Sequence, residues 1–262
     1  MKLDALVAAG GKLRRGDPLY AQAPDGFKAL LPIGGKPMVQ WVVDALAASP
    51  RVGKIVLVGL PDKAPVRHPA IAARLPEHGS LFRNIRAGGE WILDNNPSAQ
   101  LIISASGDLP AITPEMVEWV VDAAGRSEYD LYYVVIPKAT MEVSFPDSRR
   151  SFAHLRDCTL CGGDLHVLRL SLLPNAYFWE GMHAARKSIL RMAVLLGMDT
   201  LFLLVFRMLT LAEAQRRVSE RIGIRGRAIV SPFAELGMDV DTPHQYDLVR
   251  IAIERRSLVQ TS

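Results

Sequence analysis

The stretch LDALVAAGGKLRRG, residues 3–16, begins with an apolar run that ends at the glycine pair Gly10 and Gly11. Three basic residues follow at once: Lys12, Arg14 and Arg15. Glycine lets the backbone approach a ligand closely, and N–H groups that follow a parallel strand can surround a phosphate. The stretch therefore predicts a strand that leads into a phosphate-binding loop. Taken alone, an ordinary turn with solvated basic side chains is equally consistent with it.

Apolar runs alternate with helical patterns through the first half of the chain. Four of these runs are typical of strands buried on both faces: residues 3–8, 54–60, 100–106 and 131–137. Apolar residues recur at helical spacing after Pro37, near Asn84 and after Thr113. This β-α-β-α order predicts an α/β fold, with a mostly parallel sheet covered by helices on both faces. Ligands of such sheets bind beyond the carboxyl ends of the strands, where the loops at 10–16 and 104–110 should meet.

The second half of the chain is less regular. Turn and strand signals are mixed at 157–170, a long helical stretch covers about 178–222, and a strand and a closing helix follow at 227–256. The sequence shows no repeat, low-complexity tract or linker. We therefore expect one domain over residues 1–262. Its nucleotide-binding half is 1–136, and its acceptor-binding half, 137–262, contains the helical insertion.

Composition excludes several classes of protein. The chain has 262 residues, of which 49% are hydrophobic, so it can build a large core. A net charge of +4 with interspersed signs does not indicate a nucleic-acid partner. No secretory signal is evident, since Asp4 and the glycine pair interrupt the first apolar run. Two cysteines form no disulfide framework, and we expect a cytoplasmic protein.

The most hydrophobic region is Ser188 to Leu209. Charged residues interrupt it at Arg191, Asp199 and Arg207, and charges are costly inside a membrane span. The region is therefore predicted to be a helical pair broken near Gly197, either buried or covered by a partner, as in a homodimer. Contact of residues 189–209 with a membrane surface is the less favoured alternative.

Two further motifs bring charged residues to the same edge of the predicted sheet. Lys28 begins KALLPIGGKPM, and a lysine suits a phosphate whose charge shifts during reaction. Asp108 follows the run at 100–106, while Asp239 and Asp241 alternate around Val240 and point the same way if the segment is extended. Mg²⁺ typically takes one or two such carboxylates together with substrate phosphates. A solvated lysine and capping aspartates are the plain structural alternatives.

The order of these motifs resembles a known family. VAAGGKLRRG, KALLPIGGKPM, GDLPAIT and DVDTP together are similar to the motifs of MobA-like and sugar-phosphate nucleotidyltransferases. The resemblance covers residues 3–136 and returns at 227–256. It implies a Rossmann-like three-layer αβα sandwich. It also implies an enzyme that uses Mg²⁺ to join an NTP to a phosphorylated small molecule, with release of pyrophosphate.

The resemblance assigns roles to individual residues. The candidate nucleotide-binding residues are Ala8, Ala9, Gly10, Gly11, Arg14, Lys28, Asn84 and Asp108, and Arg15 joins them because guanidinium groups bind phosphate oxygens well. The candidate catalytic residues are Lys28, Arg14 and Asp108. The implied metal ligands are Asp108 and Asp241, with Asp239 as the alternative to Asp241. This sequence departs from many relatives at Lys12, where they have a glycine.

The acceptor site is expected in the second half. Gly162 and Gly163 are candidates for close backbone approach and Asp164 for a hydroxyl contact, although a tight turn explains them equally well. Arg186 and Lys187 are weaker candidates for an acceptor phosphate, since a solvated helix face is the simpler explanation. A zinc site at Cys158 and Cys161, with His154 and His166, is not favoured because the spacing matches no familiar module.

The favoured function is a Mg²⁺-dependent nucleotidyltransferase. A cytidylyl- or uridylyltransferase for a sugar or polyol phosphate leads, followed by a guanylyltransferase for a cofactor precursor. An acceptor destined for lipid, such as an inositol phosphate, is a third option. A non-catalytic nucleotide-sensing subunit is the alternative from another class, and turnover separates it from the enzymes.

Overall fold

The computed structural model describes residues 2–23, 26–125, 128–176, 178–179, 182 and 197–260. Its strands are β1 Leu3–Ala8, β2 Pro32–Ile33, β3 Lys36–Pro37, β4 Val52–Val58, β5 Ile71–Leu75, β6 Leu101–Ser106, β7 Leu131–Pro137, β8 Ala153–His154, β9 Thr159–Gly162, β10 Leu165–Arg169 and β11 Gly226–Val230. Its helices are α1 Met38–Ala48, α2 Leu81–Asn95, α3 Pro114–Ala124, α4 Lys138–Ser144, α5 Met198–Val205, α6 Leu211–Ile222 and α7 Pro243–Gln260.

A large mixed sheet runs through the described part of the chain, and β2 and β3 form a separate antiparallel pair. The order of the large sheet is β5-β4-β1-β6-β10-β7-β9-β8, and β11 also pairs with β7. Strands β5, β4, β1 and β6 are mutually parallel, and β11 is parallel to β7. Strand β10 is antiparallel to both of its neighbours, and β9 is antiparallel to β7. The predicted α/β fold with a mostly parallel sheet is confirmed, and β9 and β10 are its reversed strands.

Helices cover both faces of this sheet, because the side chains of its strands alternate between two cores. In β1, Leu3, Ala5 and Val7 pack in one core, whereas Leu6 and Ala8 pack in the other. The first core contains side chains of α1, α3, α4 and α7, and the second contains side chains of α2 and α6. The three layers implied by the sequence are therefore present.

The chain reverses its direction of sheet growth at β1. Strands β4 and β5 are added on one side of β1, and β6 is then placed on the other side. Such a reversal opens a crevice beyond the carboxyl ends of the strands. The segments that follow the strands meet there, since the N–H of Ala9 donates to the carbonyl of Val58 at 2.8 Å and the N–H of Gly107 to that of Ala8 at 2.9 Å.

A bulge separates β9 from β10. Gly162 pairs with Val135 and Val167 with Tyr132, so four residues of one strand face only two of β7. The bulge is held by hydrogen bonds to β7, in which the N–H of Gly163 donates to Val134 O at 2.9 Å. The mixed turn and strand signals at 157–170 correspond to this interrupted strand.

The hydrophobic region is described from Gly197 onward. Five of its apolar side chains are exposed: Met198, Phe202, Val205, Phe206 and Met208. Only Thr200 of α5 is buried, and Leu209 is buried after it. Burial within this chain is therefore the wrong expectation for these five side chains, which point outward from α5 and the turn after it. Contact with a partner or a membrane surface stays a prediction, and no helix within the described ranges is long and apolar enough to cross a membrane.

We predict that Ile103→Ala lowers the free energy of unfolding by about 2–5 kcal/mol, because it leaves a cavity in the core. Ile103 is fully buried in β6, between β1 and β10. Chemical denaturation measures the change. Val143→Ala, at a side chain 83% exposed, is the control and should stay within about 0.5 kcal/mol of wild type. Equal effects of the two substitutions would contradict the described packing of the sheet.

Candidate functional site

A cleft of about 820 Å³ opens at the carboxyl ends of β1, β4, β5 and β6. Its size is in the range of sites that hold small molecules and cofactors. It is lined by Ala8–Arg14, Phe27–Ala29, Gly59–Asp62, Pro76, Glu77, Gly79–Leu81, Asn84, Ser106 and Asp108. Most of the residues expected to bind a nucleotide are thus brought to one place. Arg15 is exposed and is not among the lining residues.

The floor of the cleft requires glycine. Gly59 has a φ of +100°, and a Cβ there would lie 2.5 Å from the backbone of Gly10. A Cβ on Gly10 would in turn overlap the carboxylate of Glu77 and lie 2.7 Å from Nδ2 of Asn84. The strand ends are therefore packed backbone against backbone, which leaves the floor open to a ligand.

Asn84 anchors one end of the cleft. It is buried at the start of α2, where Nδ2 donates to Glu77 Oε2 at 3.0 Å and Oδ1 accepts from the N–H of His78 at 2.8 Å. These bonds hold the carboxylate of Glu77 over Gly10. Sequence reasoning missed Glu77, since nothing in its local pattern distinguishes it from a surface glutamate.

The basic loop after β1 closes another side of the cleft. Arg14 lines the cleft, and its backbone N–H donates to Oδ2 of Asp17 at 2.5 Å. Lys12 also lines it, with Nζ 5.3 Å from the centre of the Phe27 ring. A backbone bridge joins Lys12 to Phe27, so the loop is tied to the residue that precedes Lys28.

Lys28 lies between two aspartates at the mouth of the cleft. Its Nζ is 2.6 Å from Asp108 Oδ2 and also forms an ion pair with Asp241. Burial lowers the pKa of Lys28, but the charges of Asp108 and Asp241 outweigh burial, so that the pKa is raised. Asp108 is held in addition by Ser106, whose Oγ donates to Oδ1 at 2.5 Å. The lysine is therefore protonated in the ligand-free protein.

Three carboxylates converge beside Lys28. One oxygen each of Asp108, Asp239 and Asp241 lies within 4.8 Å of the others. Asp239 and Asp241 point the same way because Val240 between them is fully buried, as the alternating pattern predicts. The N–H of Val240 donates to the carbonyl of Asp108 at 3.2 Å, which ties this segment to the end of β6.

Arg150, in the segment between α4 and β8, completes the cluster. It forms an ion pair with Asp239, and its Nη2 lies 3.8 Å from Asp164 Oδ2 and 3.3 Å from the carbonyl of Gly162. Burial and the nearby charge of Asp108 raise the pKa of Asp164 to about 7. The cluster has four carboxyl groups and two basic side chains, so it carries an excess of negative charge. Hard oxygen donors in such a setting fit a divalent cation such as Mg²⁺.

The expected acceptor residues fall into two groups. Gly162 and Gly163 lie at the bulge, where a Cβ would lie 2.4 Å from the hydroxyl of Tyr133 or 2.8 Å from the carbonyl of Leu236. Internal packing therefore accounts for both glycines, and their contact with an acceptor stays a prediction. Asp164 follows them and borders the acidic cluster. Arg186 and Lys187 lie outside the described residues.

The disfavoured zinc ligands do not converge. Cys161 packs in the core, and His166 stacks on Tyr133 while its Nδ1 accepts from the N–H of Val134 at 3.2 Å. Burial lowers the pKa of His166 to about 4. Within the described ranges, the aspartates 108, 239 and 241 form the group of three or more potential metal ligands.

Comparison with known proteins agrees with this geometry. The model of the MobA-like NTP transferase domain matches residues 5–176. A hypothetical transferase from Thermus thermophilus is 35% identical, with a TM-score of 0.80, over 94% of this chain and 100% of its own. A search of curated protein sequences finds no significant match.

More distant structures share the fold. One is 2-C-methyl-D-erythritol 4-phosphate cytidylyltransferase, also from Thermus thermophilus, and another is CMP:2-keto-3-deoxy-manno-octonic acid synthetase complexed with CTP. Each is 15% identical, with a TM-score of 0.55, over 97% of this chain and 100% of its own.

A mostly parallel sheet with a glycine-lined cleft at its carboxyl edge, flanked by a lysine and aspartates, is typical of nucleotide-binding proteins of the α/β class. The chain belongs to the MobA-like NTP transferase family. By family it is a nucleotidyltransferase.

We predict that Gly59→Ala weakens nucleotide binding about tenfold or more, since the new Cβ must displace the backbone of Gly10. Calorimetric titration with nucleoside triphosphates measures the loss. Gly223→Ala is the matched control, because Gly223 also has a positive φ, +69°, but its Cβ would meet open space. Both variants should lose about 1 kcal/mol of stability from backbone strain. Gly59→Ala should lose more, because its Cβ also meets the backbone of Gly10, and only Gly59→Ala should lose binding. Equal binding by the two variants would contradict this description of the floor.

We also predict that Asp164 makes stability depend on pH. Its pKa is raised by folding, from about 3.9 in an unfolded chain to about 7, so the folded state favours the protonated form. The stability that this group contributes is complete below about pH 4 and is lost as the pH rises through about 7. Asp164→Asn should therefore gain stability over wild type between about pH 4 and about pH 8. Denaturation curves across this range test it, and parallel pH profiles would contradict it.

Proposed function

We propose that this protein transfers the nucleotidyl group of an NTP to a phosphorylated small-molecule acceptor, with Mg²⁺ as cofactor and pyrophosphate as the second product. The observation that carries the proposal is Lys28 held between Asp108 and Asp241 at the mouth of the glycine-floored cleft. At that point a cation can bind the phosphates of a nucleotide, and two carboxylates can bind a divalent metal that accompanies them. The family membership supports the same reaction class.

The nucleotide is proposed to lie along the cleft. Ala8, Ala9 and the pair Gly10–Gly11 present the backbone to the base, the ribose and the phosphates, with Asn84 at the base end. Arg14 and Lys28 contact the triphosphate, where charge accumulates as pyrophosphate leaves. Arg15 is assigned to the same phosphates more weakly, since it lies outside the lining in the ligand-free protein.

The metal is proposed to bind Asp108 and Asp241. Their oxygens lie close together beside Lys28, and the side chain of Asp241 is 56% exposed, whereas that of Asp239 is 12% exposed and paired with Arg150. When bound, Mg²⁺ would neutralise charge on the phosphates and help to orient them. Lys28 must then leave these carboxylates for the triphosphate, a move that keeps its positive charge within the site.

The transfer step needs no strong base on the protein. A phosphate oxygen of the acceptor, already anionic near neutral pH, attacks the α-phosphorus in line. A new P–O bond forms, the bond to the β-phosphate oxygen breaks, and pyrophosphate carries away the electron pair. Catalysis then consists of positioning and charge stabilisation by Lys28 and Arg14. Gly162, Gly163 and Asp164 border the side from which the acceptor is proposed to arrive.

A cytidylyl- or uridylyltransferase for a sugar or polyol phosphate is the leading form of this proposal. The structural likeness to a cytidylyltransferase whose named substrate is a polyol phosphate supports it. Glu77 at the base end favours a base that offers an amino group to a carboxylate over one that offers a carbonyl oxygen, so CTP is preferred to UTP. The same carboxylate suits the amino group of guanine, which keeps a guanylyltransferase as the second candidate.

The test is pyrophosphate release by the purified chain with each of the four NTPs and a panel of phosphorylated sugars, polyols and cofactor precursors. We expect turnover with Mg²⁺ that is greater with CTP than with UTP, and GTP is the second candidate. NTP binding without pyrophosphate release would support a nucleotide-sensing subunit and overturn the enzymatic proposal.

Asp108→Asn should lower kcat/KM for pyrophosphate release by at least about 100-fold, since it removes a metal ligand and a partner of Lys28. Asp94→Asn is the matched control, because Asp94 is an exposed aspartate of α2 that lies outside both the cleft lining and the group of three carboxylates. It should stay within about threefold of wild type. If Asp108→Asn retained full Mg²⁺-dependent activity, the proposed metal site would be wrong.

A further inference from the structure

Arg150 is the one buried cation of the acidic cluster, within the described residues, that does not reach the nucleotide cleft. Its side chain is 15% exposed, it pairs with Asp239, and it is not among the lining residues of the cleft. Its guanidinium also lies 3.3 Å from the carbonyl of Gly162 and 3.8 Å from Asp164 Oδ2. No described residue offers a hydrogen-bond partner to its buried Nε. The contacts of Arg150 are therefore with other protein groups, outside the lining of the cleft.

Asp239 is close enough to serve the proposed metal. One of its carboxylate oxygens belongs to the same group, within 4.8 Å, as those of Asp108 and Asp241. The ion pair with Arg150 nevertheless occupies this carboxylate, and its side chain is 12% exposed. Lys28, by contrast, lines the cleft and pairs with Asp108, which also lines it, and with Asp241. Lys28 thus pairs with Asp108 and Asp241, and Arg150 pairs with Asp239.

We propose that Arg150 is a positioning residue that withholds Asp239 from the metal, so that the cation is bound by Asp108 and Asp241 alone. This inference rests on the metal site of the proposed function. Three carboxylates would overcompensate a doubly charged ion and occupy coordination positions that substrate phosphates need. Mg²⁺ in phosphate-transfer sites typically takes one or two carboxylates and keeps its other positions for phosphates and water. Arg150 keeps the protein ligands to that number.

The same contacts fix where Asp241 lies. Arg150 links the chain before β8, the bulge at Gly162 and the segment that contains Asp239. Because Asp241 is two residues from Asp239 in an extended segment, an anchored Asp239 sets the direction of its neighbour. The pairing of Asp239 therefore serves the position of Asp241 as well as the number of ligands.

The test is calorimetric titration of the full chain with Mn²⁺, which substitutes for Mg²⁺, in the absence of nucleotide. Arg150→Met frees Asp239 and should tighten Mn²⁺ binding about tenfold, because an added carboxylate raises the negative charge of an oxygen-ligand site. Arg150→Lys keeps the charge and should bind as wild type does. Arg149→Met is the matched control, since it removes the same charge one residue away, where the side chain is 67% exposed and faces Asp147 at 3.5 Å.

The double variant Arg150→Met/Asp239→Asn, which has the same net charge as wild type, provides an independent check. It leaves no buried charge unpaired, so it should fold even if the single variant Arg150→Met fails to fold. It should bind Mn²⁺ within about twofold of wild type, since Asp239 is not a ligand. A loss as large as that of Asp108→Asn would show that Asp239 does bind the metal and would overturn the inference.

The other outcomes are equally distinct. Unchanged or weaker Mn²⁺ binding by Arg150→Met, or equal tightening by Arg149→Met, overturns the role of Arg150 and leaves the proposed function intact. Failure of the wild-type chain to bind Mn²⁺, with or without nucleotide, overturns the metal site of the proposed function and the inference with it.

Discussion

The ion pairs of Lys28 hold together parts of the chain that are far apart in sequence. Lys28 follows the first strand, Asp108 follows β6, and Asp241 lies 213 residues after Lys28. Pairing at this point brings the loop after β1, the edge of the sheet and the segment before α7 to one place. Lys28 and Asp108 are largely screened from water, so their attraction is stronger than that of a surface pair, whereas the side chain of Asp241 is 56% exposed. The cleft is therefore bounded on one side by charges that can be satisfied only when the whole sheet is assembled.

Much of this arrangement follows from local sequence rules. Continuous apolar runs predict β1, β6 and β7 closely, because strands buried on both faces tolerate few polar residues. The order of strands and helices then places the segments after β1 and β6 at one edge. The alternation around Val240 correctly predicts that Asp239 and Asp241 point the same way. Periodicity and topology thus suffice for the parts of the site that lie next to regular strands.

The remaining parts depend on contacts that no local pattern encodes. Arg150 and Asp239 are 89 residues apart, and Arg150 has no neighbours in sequence that mark it as buried. The carboxylate of Glu77 becomes part of the cleft only because Asn84 and the glycine floor receive it. The exposed apolar face of α5 could not be predicted for a different reason. A hydrophobic sequence predicts that a helix is covered, but it does not show whether the same chain, a partner or a membrane covers it.

The bulge between β9 and β10 limits which sequence changes this part of the protein can accept. Leu165 and Val167 pack in one core and Leu168 packs in the other. The face on which each side chain of β10 lies therefore depends on the number of residues between Gly162 and that position. A deletion of one residue between Gly162 and Leu165 would exchange the two faces of the strand. A substitution there alters the contacts of one side chain, whereas a change of length moves every side chain of β10, beside the acidic cluster, to the opposite face of the sheet. The spacing of this segment is thus more tightly constrained than its composition.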